Sequence, residues 1–293
     1  MVTTMTDVDP VPEWLRLNRM NWDERAAIHA ASKFYGVGEF QARKSTLRSF
    51  EPGEVGDVSG RSLLHLQCHM GQDTLSWARL GADAVGLDFS EPAIRTARQL
   101  AEDVELVGQS RFVVSDVYDA EAALQGDRFD IVYTGLGALV WLPDLTRWAK
   151  IVASLLNPGG FLYLVEFHPV SDMLGDDGRA VEQDYFDGGG SVVDYQHTYT
   201  DGPAMTNTRQ VQWQHPLGEV LTALADAGLR LDFLHEHDIT LFQRFPVLEN
   251  SGGEYRFPEG HPRVPLLYSL RATRATEWQA TEHEAWRAGS MRP

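Results

Sequence analysis

From Arg61 onward, short runs rich in β-branched or aromatic residues alternate with segments of helical period. A chain patterned in this way buries its strands by building an α/β sheet with crossover helices. The runs fall at 62–66, 84–88, 111–114, 129–133 and 161–167, the last apolar throughout except for Glu166, as befits a strand covered on both faces. Between them, a helix is expected from about Gln72 to Leu80, closed by Gly81. Another starts at Ser90, with Glu91 and Pro92 in its first turn and Ile94, Ala97, Ala101 and Val104 on its apolar stripe. A third carries Leu145, Trp148, Ala149, Val152, Leu155 and Leu156 and stops at Asn157-Pro158-Gly159-Gly160.

After His168 the regularity lapses, and a Gly188-Gly189-Gly190 turn between Tyr-rich stretches reads as an inserted hairpin or lid. Helical period returns from Leu217 to Ala225, followed by strands at 229–234 and 266–272 with a Pro- and Gly-rich loop between them. A helix is expected near residues 23–34, and the tail after Thr273 is read as helical or frayed. The expectation is therefore one domain with a Rossmann-like, doubly wound, seven-stranded, mostly parallel sheet. Residues 1–60 form an N-terminal helical cap, 61–168 a ligand-binding core and 169–215 an inserted lid. Residues 216–273 are the closing elements and 274–293 the tail.

Composition narrows the partners. With 42 acidic residues against 25 basic ones the net charge is −17, which argues against nucleic acid, bound by neutralising its phosphates with Lys and Arg, and against an acidic membrane surface. The single cysteine, Cys68, excludes an internal disulfide and most Cys-based zinc sites. No run approaches the roughly 20 apolar residues of a membrane span, and the first residues lack the basic region and apolar core of a signal peptide. A cytoplasmic location is the expectation, and the oligomeric state is left open.

Open α/β sheets bind ligands beyond the carboxyl ends of their strands. Those ends read Gln67-Cys68-His69-Met70-Gly71, Asp88-Phe89-Ser90, Ser115-Asp116-Val117 and Thr134-Gly135-Leu136-Gly137. Asp88 stands where a carboxylate can accept from both hydroxyls of a ribose, unless it only caps the next helix. Asp116 can accept from an adenine amino group, unless it is an ordinary loop Asp. With these motifs, with Phe129-Asp130-Ile131-Val132 and with Leu155-Leu156-Asn157-Pro158-Gly159-Gly160, the stretch from about Ser62 to His168 resembles the class I S-adenosylmethionine-dependent methyltransferase family. The resemblance implies S-adenosylmethionine as cofactor. The ribose would lie on Asp88, the adenine on Asp116 and Val117, and the methionine part between the first loop (Gln67, His69, Gly71) and the end of strand four (Thr134), with Phe89 also among the cofactor-binding residues.

One departure stands out. The family's first loop usually reads acidic-x-Gly-x-Gly-x-Gly, whereas this chain has His65-Leu66-Gln67-Cys68-His69-Met70-Gly71 and keeps only the last glycine. Gln67 and His69 must therefore point away from the ligand or touch it with their own side chains. The same loop weighs against a dinucleotide grip, which needs G-x-G-x-x-G. Methyl transfer from a sulfonium is accelerated mainly by positioning, with a general base an optional aid. His168 is the catalytic candidate, set at the end of strand five on the side of Glu166, unless it merely bonds local backbone ahead of Pro169. Trp14, Trp22, Tyr35, Tyr185, Tyr195, Tyr199, Trp213 and Phe257 fall in the segments expected to cover the site. No metal is expected, because His235-x-His237 has no recognisable third ligand. The expected function is methyl transfer to a small-molecule acceptor; the alternative is a non-catalytic protein that binds S-adenosylmethionine or S-adenosylhomocysteine on the same fold.

Overall fold

The computed structural model describes residues 11–276, so the first ten residues and most of the tail expected at 274–293 lie outside the described residues. The strands are β1 (Ser62–Leu66), β2 (Asp83–Asp88), β3 (Ser110–Val114), β4 (Phe129–Thr134), β5 (Leu156–Phe167), β6 (Ser191–Asp194), β7 (Arg209–Gln212), β8 (Leu229–His237), β9 (Glu249–Ser251), β10 (Glu254–Arg256) and β11 (Leu267–Arg274). Seven of them form one sheet in the order β3-β2-β1-β4-β5-β11-β8, in which β11 alone runs opposite to the other six. The order reverses between β1 and β4, and at such a switch point the loops leaving adjacent strands diverge and open a crevice.

Strand alternation builds the two faces of the core. Leu64, Leu66, Val132, Leu162 and Leu164 point to one face, where helices α7 (Leu145–Leu155) and α9 (Leu217–Asp226) cover them with Trp148, Val152, Val220 and Leu224. Leu63, Ile131, Tyr133, Phe161 and Tyr163 point to the other, against Trp77 of helix α4 (Gln72–Arg79) and Val55 of the short helix α3 (Glu51–Val55). Helix α5 (Glu91–Asp103) starts as its sequence suggests, with the Ser90 hydroxyl accepting from the Ala93 N–H. The Asn-Pro-Gly-Gly stop ends α7 at Leu155, and its glycine is needed: a Cβ on Gly160 would stand 3.0 Å from three backbone carbonyl oxygens.

Helix α1 (Glu13–Ala31) begins ten residues before the expected start. Its buried positions are Asn18, Asn21, Arg25, Ala26 and His29, so the face that docks is largely polar and leaves no hydrophobic period to find. Hydrogen bonds dock it instead. Asn18 donates to the Val211 carbonyl (2.9 Å) and accepts from the Val211 N–H (2.7 Å), standing beside β7 as another strand would. Asn21 donates to the Asn207 carbonyl and Arg25 to Gln210 Oε1. The insertion after His168 contains the antiparallel pair β6 and β7, and the loop before β11 contains the hairpin β9–β10, absent from the expectation. No helix among the described residues is long and apolar enough to cross a membrane.

Candidate active site

A cavity of about 1200 Å³ opens at the carboxyl ends of β1, β4 and β5. Its floor is the first loop. Gln67 (φ 56°), His69 (φ 49°) and Gly71 (φ 74°) all lie in the left-handed region, so the backbone follows a path suited to glycine although two of the three residues carry side chains. Asp88, at the end of β2, holds this path: Oδ2 accepts from the His69 N–H and Oδ1 from the Ser90 N–H, each at 2.8 Å. Burial pushes its carboxyl up to about 6 against the pull of those two N–H groups. Each oxygen keeps a second lone pair with which to accept from a ribose hydroxyl. Asp116 caps a single 3₁₀ turn by accepting from the Tyr118 N–H, and burial raises its pKa as well.

The expected site residues separate into two groups. Gln67, His69 and Gly71 line the cavity, whereas Asp88, Phe89, Asp116, Val117 and Thr134 do not. Helix α1 lies over the second group: Asp23 accepts from the Ser90 hydroxyl, the Arg19 guanidinium sits 5.9 Å from the Phe89 ring centre, and Trp14 meets Tyr118 edge to face. The loop geometry and the acidic residues at the ends of β2 and β3 fit an adenosine-bearing cofactor, with the cap as the element that must yield to admit its nucleoside end.

His168 is not where it was expected. It is buried, but its Nδ1 accepts from the Val170 N–H at the start of the four-residue helix α8 (Pro169–Asp172), and its Nε2 lies 3.0 Å from Glu236. It does not line the cavity, because the chain turns out of the strand here and α8 takes the imidazole as its N-cap. Glu166, two residues earlier, does line it, yet its carboxylate accepts from the N–H groups of Gly137, Ala138, Leu139 and Phe167 and so holds the loop after β4. Burial outweighs these bonds and pushes the Glu166 carboxyl up to about 7. His235 and His237 have separate partners, Glu54 and Ser269.

Several residues of the site carried no signal in hydrophobic periodicity. His29 stands 2.9 Å from His69 (Nδ1 to Nε2) and 2.9 Å from the Thr198 hydroxyl. Burial, and after it the neighbouring imidazole and Arg25, depresses His29 to about 2; burial and Arg25 depress His69 to about 3, so both rings are neutral near pH 7. Arg25 lies 4.9, 5.7 and 5.9 Å from the ring centres of Trp22, Trp141 and Tyr199. Of the aromatic residues expected over the site, Trp22, Tyr35, Tyr195, Tyr199 and Trp213 line the cavity, while Trp14, Tyr185 and Phe257 pack outside it. The sequence does hold one trace of this arrangement, the spacing of Asn18, Asn21, Arg25 and His29, which puts four polar side chains on one helical stripe.

A seven-stranded sheet of this order, with its cavity at the switch point, is the fold of the class I S-adenosylmethionine-dependent methyltransferases. Residues 63–160, about a third of the chain, match the family model described as a methyltransferase domain. Among curated proteins the chain is similar to a ubiquinone biosynthesis O-methyltransferase of Alkalilimnicola ehrlichii, 33% identical over 107 residues, or 36% of this chain and 41% of the relative. A ubiquinone biosynthesis O-methyltransferase of Methylobacterium nodulans is 26% identical over 163 residues, 54% of this chain and 62% of the relative. The chain thus spans between about two fifths and three fifths of these relatives. Among solved structures, an S-adenosylmethionine-dependent methyltransferase from Methanosarcina mazei superposes with a TM-score of 0.53 at 18% identity, covering 79% of this chain and 99% of that one. Geranyl diphosphate C-methyltransferase from Streptomyces coelicolor gives 0.51 at 13% identity, covering 77% of each chain.

Proposed function

We propose that this protein transfers a methyl group from S-adenosylmethionine to a small, planar acceptor. The observation that carries the reading is the first loop: it keeps a glycine-like path with only its last glycine, is pinned by Asp88 from the neighbouring strand, and floors a cavity with room for two ligands. When bound, the cofactor supplies an electrophilic methyl group on its sulfonium. The acceptor's nucleophilic atom would bond to that methyl in line as the methyl C–S bond breaks, with S-adenosylhomocysteine as the leaving group and a proton on the acceptor passing to solvent. What the chain contributes is position and the exclusion of water. Asp88 and Asp116 hold the nucleoside and the first loop borders the methionine part. Trp22, Trp141, Tyr199 and Phe242 wall the space beside it, which suits a flat acceptor. His168, facing Val170 and Glu236, is given no part in the chemistry.

The second reading, a protein that binds the cofactor without using it, draws support from the way α1 lies over Asp88 and Asp116. Two measurements separate the readings. Mass spectrometry of the purified protein, together with calorimetric titration of S-adenosylhomocysteine, should detect the nucleoside bound at one site per chain. Incubation of S-adenosylmethionine with a panel of phenols, catechols and aromatic amines should then release S-adenosylhomocysteine. Binding without release across the panel would favour the second reading, and absence of binding would defeat both.

A further inference from the structure

Arg25 is a buried cation with no carboxylate to face. It is 4% exposed, its Nη2 donates to Gln210 Oε1 at 2.7 Å, its Nε has no partner, and no acidic residue among the described residues lies within ion-pair distance. Three other cations of the cavity wall are matched, Lys44 by Glu39, Arg48 by Glu51 and Asp73, and Arg244 by Asp172, while Lys33 lies at the wall without an ion pair among the described residues. A buried guanidinium held only by an amide and aromatic rings is costly unless an anion reaches it from the cavity.

Its neighbours repeat the pattern. Gln210 Nε2 and Gln214 Nε2 are buried donors on the same cavity wall without partners, and His69 Nδ1 is a buried ring nitrogen without one. Gln67 Oε1 is the complementary case, a buried acceptor left unpaired while its Nε2 donates to the Ala138 carbonyl. Buried polar groups of this kind are satisfied in almost every native structure, so a cluster of them around one cavity describes the ligand that completes it.

We propose that Arg25, oriented by Gln210 and walled by Trp22, Trp141 and Tyr199, is a carboxylate-recognition site of the cavity. The inference rests on the methyltransferase reading, in which two ligands can bring a carboxylate: the cofactor, through its amino-acid end, and an acidic acceptor. Arg supplies two parallel N–H donors to a carboxylate, which Lys cannot reproduce. Gln67 Oε1, a free acceptor on the same cavity, would suit an ammonium group such as the amino-acid end carries.

The first arm of the test titrates S-adenosylhomocysteine and 5′-methylthioadenosine, which lacks the amino acid, into the wild type, Arg25→Gln and Arg25→Lys. If the carboxylate is the cofactor's, Arg25→Gln weakens S-adenosylhomocysteine at least tenfold and 5′-methylthioadenosine less than twofold, with Arg25→Lys between. The second arm needs no cofactor and follows tryptophan fluorescence on adding benzoate or benzamide. Preference of the wild type for benzoate, lost in Arg25→Gln, assigns the site to an acidic acceptor. Melting curves verify that each variant is folded, and Arg25→Lys carries the test should Arg25→Gln not fold. Wild-type constants for both nucleosides in the variants, with no preference for benzoate, overturn the proposal. A wild type that binds neither nucleoside defeats the cofactor reading instead, and the second arm still decides on Arg25.

Discussion

Gly71, the one glycine left in the first loop, gives the sharpest quantitative prediction. A Cβ built on it would stand 2.5 Å from Phe112 Cε1, 2.8 Å from Phe112 Cζ and 2.9 Å from the Ala97 Cβ, so it points into the core rather than into the cavity. Its φ of 74° adds the left-handed penalty, roughly 1–2 kcal/mol for a residue with a side chain. Overpacking a ring in a filled core adds roughly 1–3 kcal/mol. Reduced freedom of the unfolded chain returns roughly 0.4–1 kcal/mol, which leaves Gly71→Ala destabilised by about 1–4.5 kcal/mol. Urea unfolding followed by tryptophan fluorescence measures this, and the double variant Gly71→Ala, Phe112→Leu should recover part of the overpacking cost, with a coupling of about 1 kcal/mol. In the folded fraction the affinity for S-adenosylhomocysteine should stay within threefold of the wild type, because the added methyl faces away from the ligand. A loss below 1 kcal/mol, or an intact fold with binding abolished, would show that the glycine serves close approach of the ligand and refute the packing argument.

Asp88→Asn keeps one of two N–H acceptors and should weaken S-adenosylhomocysteine binding by about 1.5–3 kcal/mol. Because the folded-state pKa of Asp88 is raised to about 6, ionising it costs stability as pH rises from about 4 to 6; the variant should therefore gain on the wild type across that window by up to roughly 3 kcal/mol in urea titrations at pH 4 and 7. His29, depressed to about 2, acts in the opposite direction: its contribution is complete above pH 6.5 and lost as pH falls below it, so a destabilised His29→Gln should close on the wild type by about 1.4 kcal/mol per pH unit between pH 6 and 5, and parallel curves would contradict the buried neutral imidazole. His168→Ala should cost about 0.5–2 kcal/mol in unfolding experiments as a lost helix cap and change the rate of S-adenosylhomocysteine formation less than twofold; a tenfold fall in rate would restore it as a base.

The core was legible because its elements answer to local rules. Strands β1 to β5 alternate with helices whose stripes are apolar, and Ser90 caps α5 as any Ser before Glu-Pro tends to. The cap was half-legible, because a helix docked by Asn18, Asn21, Arg25 and His29 has no apolar stripe, and its partners on β7 and near Thr198 lie more than 160 residues away. Pairings at that separation leave no periodic mark. The misplacement of His168 has a narrower cause. Alternation does put Glu166 and His168 on one side of an ideal strand, but β5 ends at Phe167, and Pro169 starts a helix whose first turn needs an acceptor.

The first loop shows why a departure from a family's motif need not undo a site. Gln67 and His69 each bear roughly 1–2 kcal/mol of left-handed strain that glycine would avoid. What offsets it is on the same side chains: Gln67 ties the loop to the carbonyl of Ala138 after β4, and His69 ties it through His29 to the cap and through His29 again to Thr198 in the insertion. A glycine loop can touch a ligand only with its backbone, and nothing carries the contact further. In this chain the loop at the cavity floor is bonded directly to the loop after β4 and to the cap, and through His29 to the insertion, so a displacement of the loop acts on all three. The strained residues are therefore the same ones that join the cavity floor to the segments around it.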